Sequence, residues 1–148
     1  MLNPNTVAEA VKAFKGYAKD FNDLDAKKIV PYYHLHAIIM DEERVVPIGI
    51  PEAIEMFFAT VFQGLKADNF KESTLDSLHV DLVSANQAIM TGVGTRYRQD
   101  GSIIKHFGLT YTLRQVDEYE VNCQKYSWKI ICGVLHDSNE FVVTGSLK

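Results

Sequence analysis

Cysteine is scarce in this chain: Cys123 and Cys132 are the two among 148 residues. Neither stands in a C-x-x-C pair or in Cys/His ligand spacing. That excludes a disulfide-stapled scaffold and a zinc ribbon, and two reduced thiols are expected, with Cys132 in the core. Long apolar runs are also missing. None approaches the ~18 residues of a membrane span, and the N-terminus lacks the basic and apolar regions of a secretory leader, so a soluble, cytoplasmic protein without a membrane partner is expected. Basic residues are outnumbered, 15 Lys and Arg against 19 Asp and Glu, for a net charge of -4 and a pI near 5.7. They are scattered rather than gathered into a stripe, which argues against a general nucleic-acid binder. There is no Gly-rich phosphate loop, no Gly-x-Ser-x-Gly elbow and no Cys/His catalytic grouping. The histidines at 34, 36, 79, 106 and 136 form no convincing metal-site pattern, so neither a metal nor a cofactor is expected.

What the chain does have is 47% hydrophobic residues, enough for one globular domain spanning 1–148, with 138–148 as an extra strand or tail. The informative stretch is 88–113, two strand-like runs around Asp100-Gly101. An Asp-Gly pair between such runs predicts a two-residue type I′ hairpin. Counting outward from it pairs Arg96 with Lys105, Gly94 with Phe107, Gly92 with Leu109, Met90 with Tyr111 and Ala88 with Leu113. Paired residues share a face. This face sets small residues against large ones and is read as concave and buried, its two glycines letting the sheet bend and leaving room above it. The opposite face carries Tyr97 with Ile104, Thr95 with His106, Val93 with Gly108, and Thr91 with Thr110. It is hydroxyl-rich and read as convex.

Before the hairpin the period is helical. Asn5-Thr6 can cap a helix from Val7, with Val7, Val11, Phe14, Ala18 and Phe21 along one side. A shorter helix is expected over 25–33, then a strand over 36–41, a charged turn, and a third helix from Pro51 to about Leu65. That third helix carries a broad stripe of Ile54, Phe57, Phe58, Val61, Phe62 and Leu65. From Phe70 the period becomes two, through 75–84, the hairpin and 126–136. The stretch 114–125 reads as a polar connection, and 141–147 as a short extra strand or tail. Helices first and strands afterwards predict an α+β fold, three helices on a curved antiparallel sheet.

Four short stretches carry a family resemblance: Asn22-Asp23-Leu24-Asp25 after the first helix, Gly49 before Ala53-Ile54, Ala88-x-Met90-x-Gly92 in the sheet, and Trp128-Lys129-Ile130 in the last strand. In this order and spacing the chain resembles the nuclear transport factor 2-like fold. That cone-shaped, cystatin-like architecture is shared by SnoaL-like cyclases and ketosteroid isomerase. The resemblance implies an apolar cavity, a homodimer, and at Asp41 a carboxylate placed like the isomerase's catalytic base. Partial burial would raise the pKa of such an acid toward working pH. The isomerase's oxyanion-hole tyrosine and protonated aspartate are matched here by Lys15 and Leu109, so steroid isomerisation as such is not expected, and Tyr17 or Tyr111 would have to supply the phenolic donor.

The expected ligand wall comprises Phe14, Tyr17, Tyr33, Phe57, Phe58, Val61, Met90, Arg96, Phe107, Leu109, Tyr111, Trp128, Ile130, Val134 and His136. Core filling explains most of these equally well. Arg96 and Lys105 either place positive charge at the cavity mouth, suiting an anion, or simply reach solvent. Two functions follow. One is a domain binding a small apolar or weakly anionic molecule, as an isomerase-, cyclase- or dehydratase-like enzyme with Asp41 as general acid/base, or as a carrier. The other is a non-enzymatic dimeric module associating through the convex face.

Overall fold

The computed structural model of the chain describes residues 4–116 and 127–137. Cys123, the acidic part of the connection after Val116, and the 141–147 segment lie outside them. The elements are α1 (Pro4–Phe21), α2 (Ala26–Ile29) leading into a 3-10 turn (Val30–Tyr32), β1 (Tyr33–Met40), β2 (Val45–Pro47), α3 (Pro51–Ala67), β3 (Phe70–Ser84), β4 (Gln87–Arg98), β5 (Ile103–Gln115) and β6 (Trp128–His136). The six strands form one sheet in the order β2-β1-β6-β5-β4-β3. It is mixed rather than purely antiparallel, because β1 runs parallel to β6.

Local chemistry accounts for the helix ends. α1 starts at Pro4, earlier than Val7, since proline suits a first helical turn whose N–H groups lack partners anyway. Leu24 takes a left-handed φ of 52° and ends that segment. Asp25 then caps α2, its carboxylate accepting from the Lys27 N–H at 3.1 Å. α2 is shorter than expected: Pro31 converts its end to the 3-10 turn, and Tyr33 already belongs to β1. α3 opens on Pro51 after an extended Ile50 and buries Ile54, Phe58, Phe62 and Leu65 against the sheet.

The central hairpin keeps its expected faces by a different route. The Gly101 N–H donates to the Arg98 carbonyl, and of the tip residues only Gly101 has positive φ, at 87°. The tip is therefore a three-residue loop, a type I turn closed by a left-handed glycine, and not the two-residue type I′ turn. This displaces the pairing by one, so that Tyr97 faces Ile103. A bulge at Ile104 then restores it, and Arg96/Lys105, Gly94/Phe107, Gly92/Leu109, Met90/Tyr111 and Ala88/Leu113 pair as expected. Ala88, Met90, Leu109, Tyr111 and Leu113 are buried in the core beneath α1 and α3. Each large side chain so buried contributes about 1.5–3 kcal/mol.

A second bulge has larger consequences. In β6, Ile130 pairs with Leu113 but Cys132 pairs with Thr112, so Ile131 is extra. Alternation reverses there. Trp128 and Ile130 face the core with Gly133 and Leu135 beyond them, while Cys132, Val134 and His136 share the convex side with Thr110 and Gly108. Val134 and His136 thus leave the inward face that an unbroken alternation assigns them. The His136 ring lies across Gly108, and its Nε2 is 3.0 Å from Thr110 Oγ1.

A third bulge, at Asp76 in β3, bends the sheet over the two strand glycines. A β-carbon on Gly92 would stand 2.3 Å from the Ser77 carbonyl oxygen. The glycines thus allow the bend, but they do not leave a hollow. On the convex side the bulged Asp76 accepts from Thr95 Oγ1 at 2.6 Å and from Thr74 Oγ1 at 2.7 Å, which buries Thr95 there.

Candidate functional site

Arg96 lies on the concave face of β4, between the rings of Phe21 and Phe107, whose centroids are 5.3 and 5.0 Å from its guanidinium carbon. It does not reach freely into solvent as Lys105 does; it is largely enclosed, and its Nε is buried with no hydrogen-bond partner among the described residues. Burial lowers its pKa, and the groups that oppose this are the phenols of Tyr111 and Tyr17, not a carboxylate. The two aromatic faces compensate in part, about 0.5–2 kcal/mol for each cation–π contact.

Two tyrosines, Tyr17 and Tyr111, stand beside it, with Tyr33 behind Tyr17. Tyr33 Oη donates to Tyr17 Oη at 2.9 Å, and the rings of Tyr17 and Tyr111 are 6.0 Å apart. All three are buried, and desolvation pushes their pKa values up, those of Tyr17 and Tyr33 well above 10.0. They remain neutral phenols that donate hydrogen bonds. Tyr111 fits because Gly133, opposite it on β6, has no side chain: a β-carbon there would be 2.9 Å from the Tyr111 ring.

Two spaces meet at Arg96. An open cleft of about 400 Å³ lies between α3 and the turn after β1, walled by Ile39, Phe57, Phe58, Val61 and Leu135 with Tyr17, Phe21, Arg96 and Tyr111 at its floor. Its rim is polar: Lys105, His136 and Arg44 stand there with Asp41, Glu42 and Glu43. A smaller cavity of about 60 Å³ lies under α1, among Phe14, Ala18, Ser73, Leu75, Phe107 and Leu109. Tyr17, Phe21, Arg96, Tyr111 and Leu135 border both.

Of the expected wall, Phe14, Tyr17, Phe57, Phe58, Val61, Arg96, Phe107, Leu109 and Tyr111 therefore meet around these spaces. Tyr33 stands behind Tyr17, and Met90, Trp128 and Ile130 are buried core that borders neither. Val134 is on the convex side. Phe21, Ile39, Ser73, Leu75 and Leu135 join the site without having been singled out for it. Leu135 was hidden by the β6 bulge, and Ser73 by the unknown register of β3, whereas the helical stripe already pointed Phe21 inward. Leu109 makes its part of the smaller cavity apolar. Lys15 lies outside, in a groove between α1 and β3.

Asp41 stands at the rim in the turn joining β1 to β2. Its Oδ1 accepts from the backbone N–H of Glu43 at 2.9 Å and of Arg44 at 3.0 Å, and its Oδ2 from Arg44 Nε at 3.3 Å. Its side chain is 37% exposed. The hydrogen bond from Glu43 and those from Arg44 hold its pKa below the usual 3.8, opposite in direction to the rise expected for a partly buried acid. It pairs with Arg44 and not with Arg96. Among the described residues no group of three His, Cys, Asp or Glu is placed to hold a metal ion, and no helix is long and apolar enough to cross a membrane.

Among solved structures the chain is similar to an NTF2-like protein with a cystatin-like fold from Novosphingobium aromaticivorans (TM-score 0.71, 12% identity, 90% of this chain and 82% of the other). It is also similar to Aln2 from a Streptomyces species (TM-score 0.71, 14% identity, 94% and 96%). A third is a ketosteroid isomerase-like protein from Erwinia carotovora atroseptica (TM-score 0.68, 15% identity, 92% and 98%). At these identities the likeness is one of fold. No curated protein matches. A family pattern covers residues 8–138, and by that match, with the helices-on-curved-sheet architecture in agreement, the chain belongs to the family described as NTF2-like protein (DUF6841).

Proposed function

We propose that this domain binds a small organic anion in the aromatic cleft, with Arg96 as the counter-charge. The observation that carries the reading is a largely enclosed guanidinium that has aromatic rings on both sides and no carboxylate partner among the described residues. Leaving such a charge unpaired is costly, and an anion brought in from solution removes that cost while gaining charge-assisted hydrogen bonds. The apolar walls supply the rest of the affinity and favour a hydrocarbon or aryl body. Neutral tyrosines beside the guanidinium add donors without adding charge. Acid/base catalysis by Asp41 has less support, because its lone pairs are engaged by the turn and its lowered pKa makes it a weak base.

The test is calorimetric titration with octanoate, phenylacetate and 3-phenylpropionate, each beside its primary amide. The acids bind at least tenfold more tightly than the amides, and Arg96→Met erases that difference. Equal binding of acids and amides to the unaltered protein would refute the reading.

The second role, association of two copies through the convex face, draws on Ile89 and Ile103, which are 37% and 45% exposed there. Light scattering that shows only monomer at high concentration would remove it.

A further inference from the structure

Among the described residues, three buried side-chain polar atoms lack a hydrogen-bond partner: Ser73 Oγ, Arg96 Nε and Trp128 Nε1. The first two belong to residues lining the same cavity of about 60 Å³. They are also direct cross-strand partners, Ser73 on β3 opposite Arg96 on β4. Side chains so paired share a face, with β-carbons about 4.5–5.5 Å apart. The position of Ser73 is fixed from outside. The Asn22 side chain, just past the end of α1, accepts from the Ser73 N–H at 2.8 Å and donates to its carbonyl at 3.3 Å. The backbone is thus satisfied, while the hydroxyl is left with nothing to bond.

Resting on the reading of Arg96 as the counter-charge, we propose that the small cavity is the seat of the ligand's carboxylate, one oxygen accepting from Arg96 Nε and the other from the Ser73 hydroxyl. The two spaces share Tyr17, Phe21, Arg96, Tyr111 and Leu135 as walls, and the hydrocarbon part passes between these side chains to reach the wider cleft. One guanidinium and one hydroxyl among apolar walls match a singly charged, planar carboxylate; a phosphate dianion needs more positive charge than this. The volume of about 60 Å³ is several times the roughly 10–15 Å³ that one water requires, enough for a carboxylate and little more. The site therefore selects acids unbranched at the carbon next to the carboxylate.

The experiment compares octanoate with 2,2-dimethyloctanoate by calorimetry, in the unaltered protein, Ser73→Ala and Arg96→Met. Octanoate binds the unaltered protein at least tenfold more tightly than the dimethyl acid, loses about tenfold in Ser73→Ala, and loses all measurable binding in Arg96→Met. Circular dichroism verifies that both variants are folded. If octanoate binding needs Arg96 but ignores both Ser73→Ala and the added methyl groups, the carboxylate sits in the outer cleft and this proposal falls, while the anion-binding reading stands. If no linear acid binds at millimolar concentration, or binding survives Arg96→Met, both fall. An effect of Ser73→Ala equal on octanoate and octanamide would mean that the hydroxyl holds water only, and would also overturn the proposal.

Discussion

Phe107 lies flat across Gly94: its Cζ is 2.5 Å from where a β-carbon on that glycine would stand, and the Thr74 carbonyl oxygen is 2.8 Å from the same point. At Gly92 the obstruction is backbone, the Ser77 carbonyl with Leu78 Cα behind it, which cannot rotate away. Gly92→Ala is therefore expected to destabilise the fold by about 1–3 kcal/mol or more, and Gly94→Ala by somewhat less, since the Phe107 ring can yield and the fixed Thr74 carbonyl stands at 2.8 Å rather than the 2.3 Å of Ser77. Gly64, on α3 with nothing within 4 Å of the added carbon, should gain up to about 1 kcal/mol as alanine. Urea denaturation of the three variants checks the order.

Arg96 lends a charge to the site with little net effect on the empty fold. Arg96→Met removes a polar group left unmatched, worth about 1–3 kcal/mol, together with two cation–π contacts of about 0.5–2 kcal/mol each, so the stability of the ligand-free protein should change little while anion binding is lost. Loss of function without loss of stability in one variant is the signature, and thermal melts with and without octanoate read it.

Lys129 is buried on β6, its Nζ donating to the Pro31 carbonyl, and desolvation lowers its pKa from 10.5 to about 8. Above pH 8 the folded state sheds this proton while the unfolded chain still holds it, so stability rises with pH. Cys132 and the buried tyrosines, whose pKa values are raised, act in the opposite sense at higher pH. The window is therefore about pH 8 to 9. The urea midpoint should climb there in the unaltered protein, and Lys129→Met should lack that climb and be the more stable of the two at pH 7.

Asp41 organises its turn as a carboxylate. Its lowered pKa means that its contribution is present above 3.8 and fades as pH falls through the folded value. Asp41→Asn should lower the melting temperature slightly at pH 7, with the difference closing in acid. Octanoate affinity should change less than twofold. A large loss of affinity would return Asp41 to the ligand.

The alternation of the hairpin was readable because each face has its own chemistry, small-against-large on one side and hydroxyls on the other, and Asp100-Gly101 located the tip. The bulges were not readable. Ile104, Asp76 and Ile131 look like ordinary strand residues, and only pairing reveals them as supernumerary. Arg96 illustrates the same limit: its place on the concave face follows from parity, but its enclosure depends on Phe21 from α1 and on the bent β3, neither of which local sequence positions. Ser73 entered through that same unknown register.

The extra residue at Ile131 has an evolutionary corollary. Losing that one codon would only straighten the strand, since Cys132 to His136 would keep their present partners and faces. A codon lost after Cys132, at Gly133, would instead turn Val134 and His136 toward the tyrosines and expel Leu135. Chemistry on this scaffold can therefore be rewritten by a length change in one strand, provided that the change falls beyond the bulge.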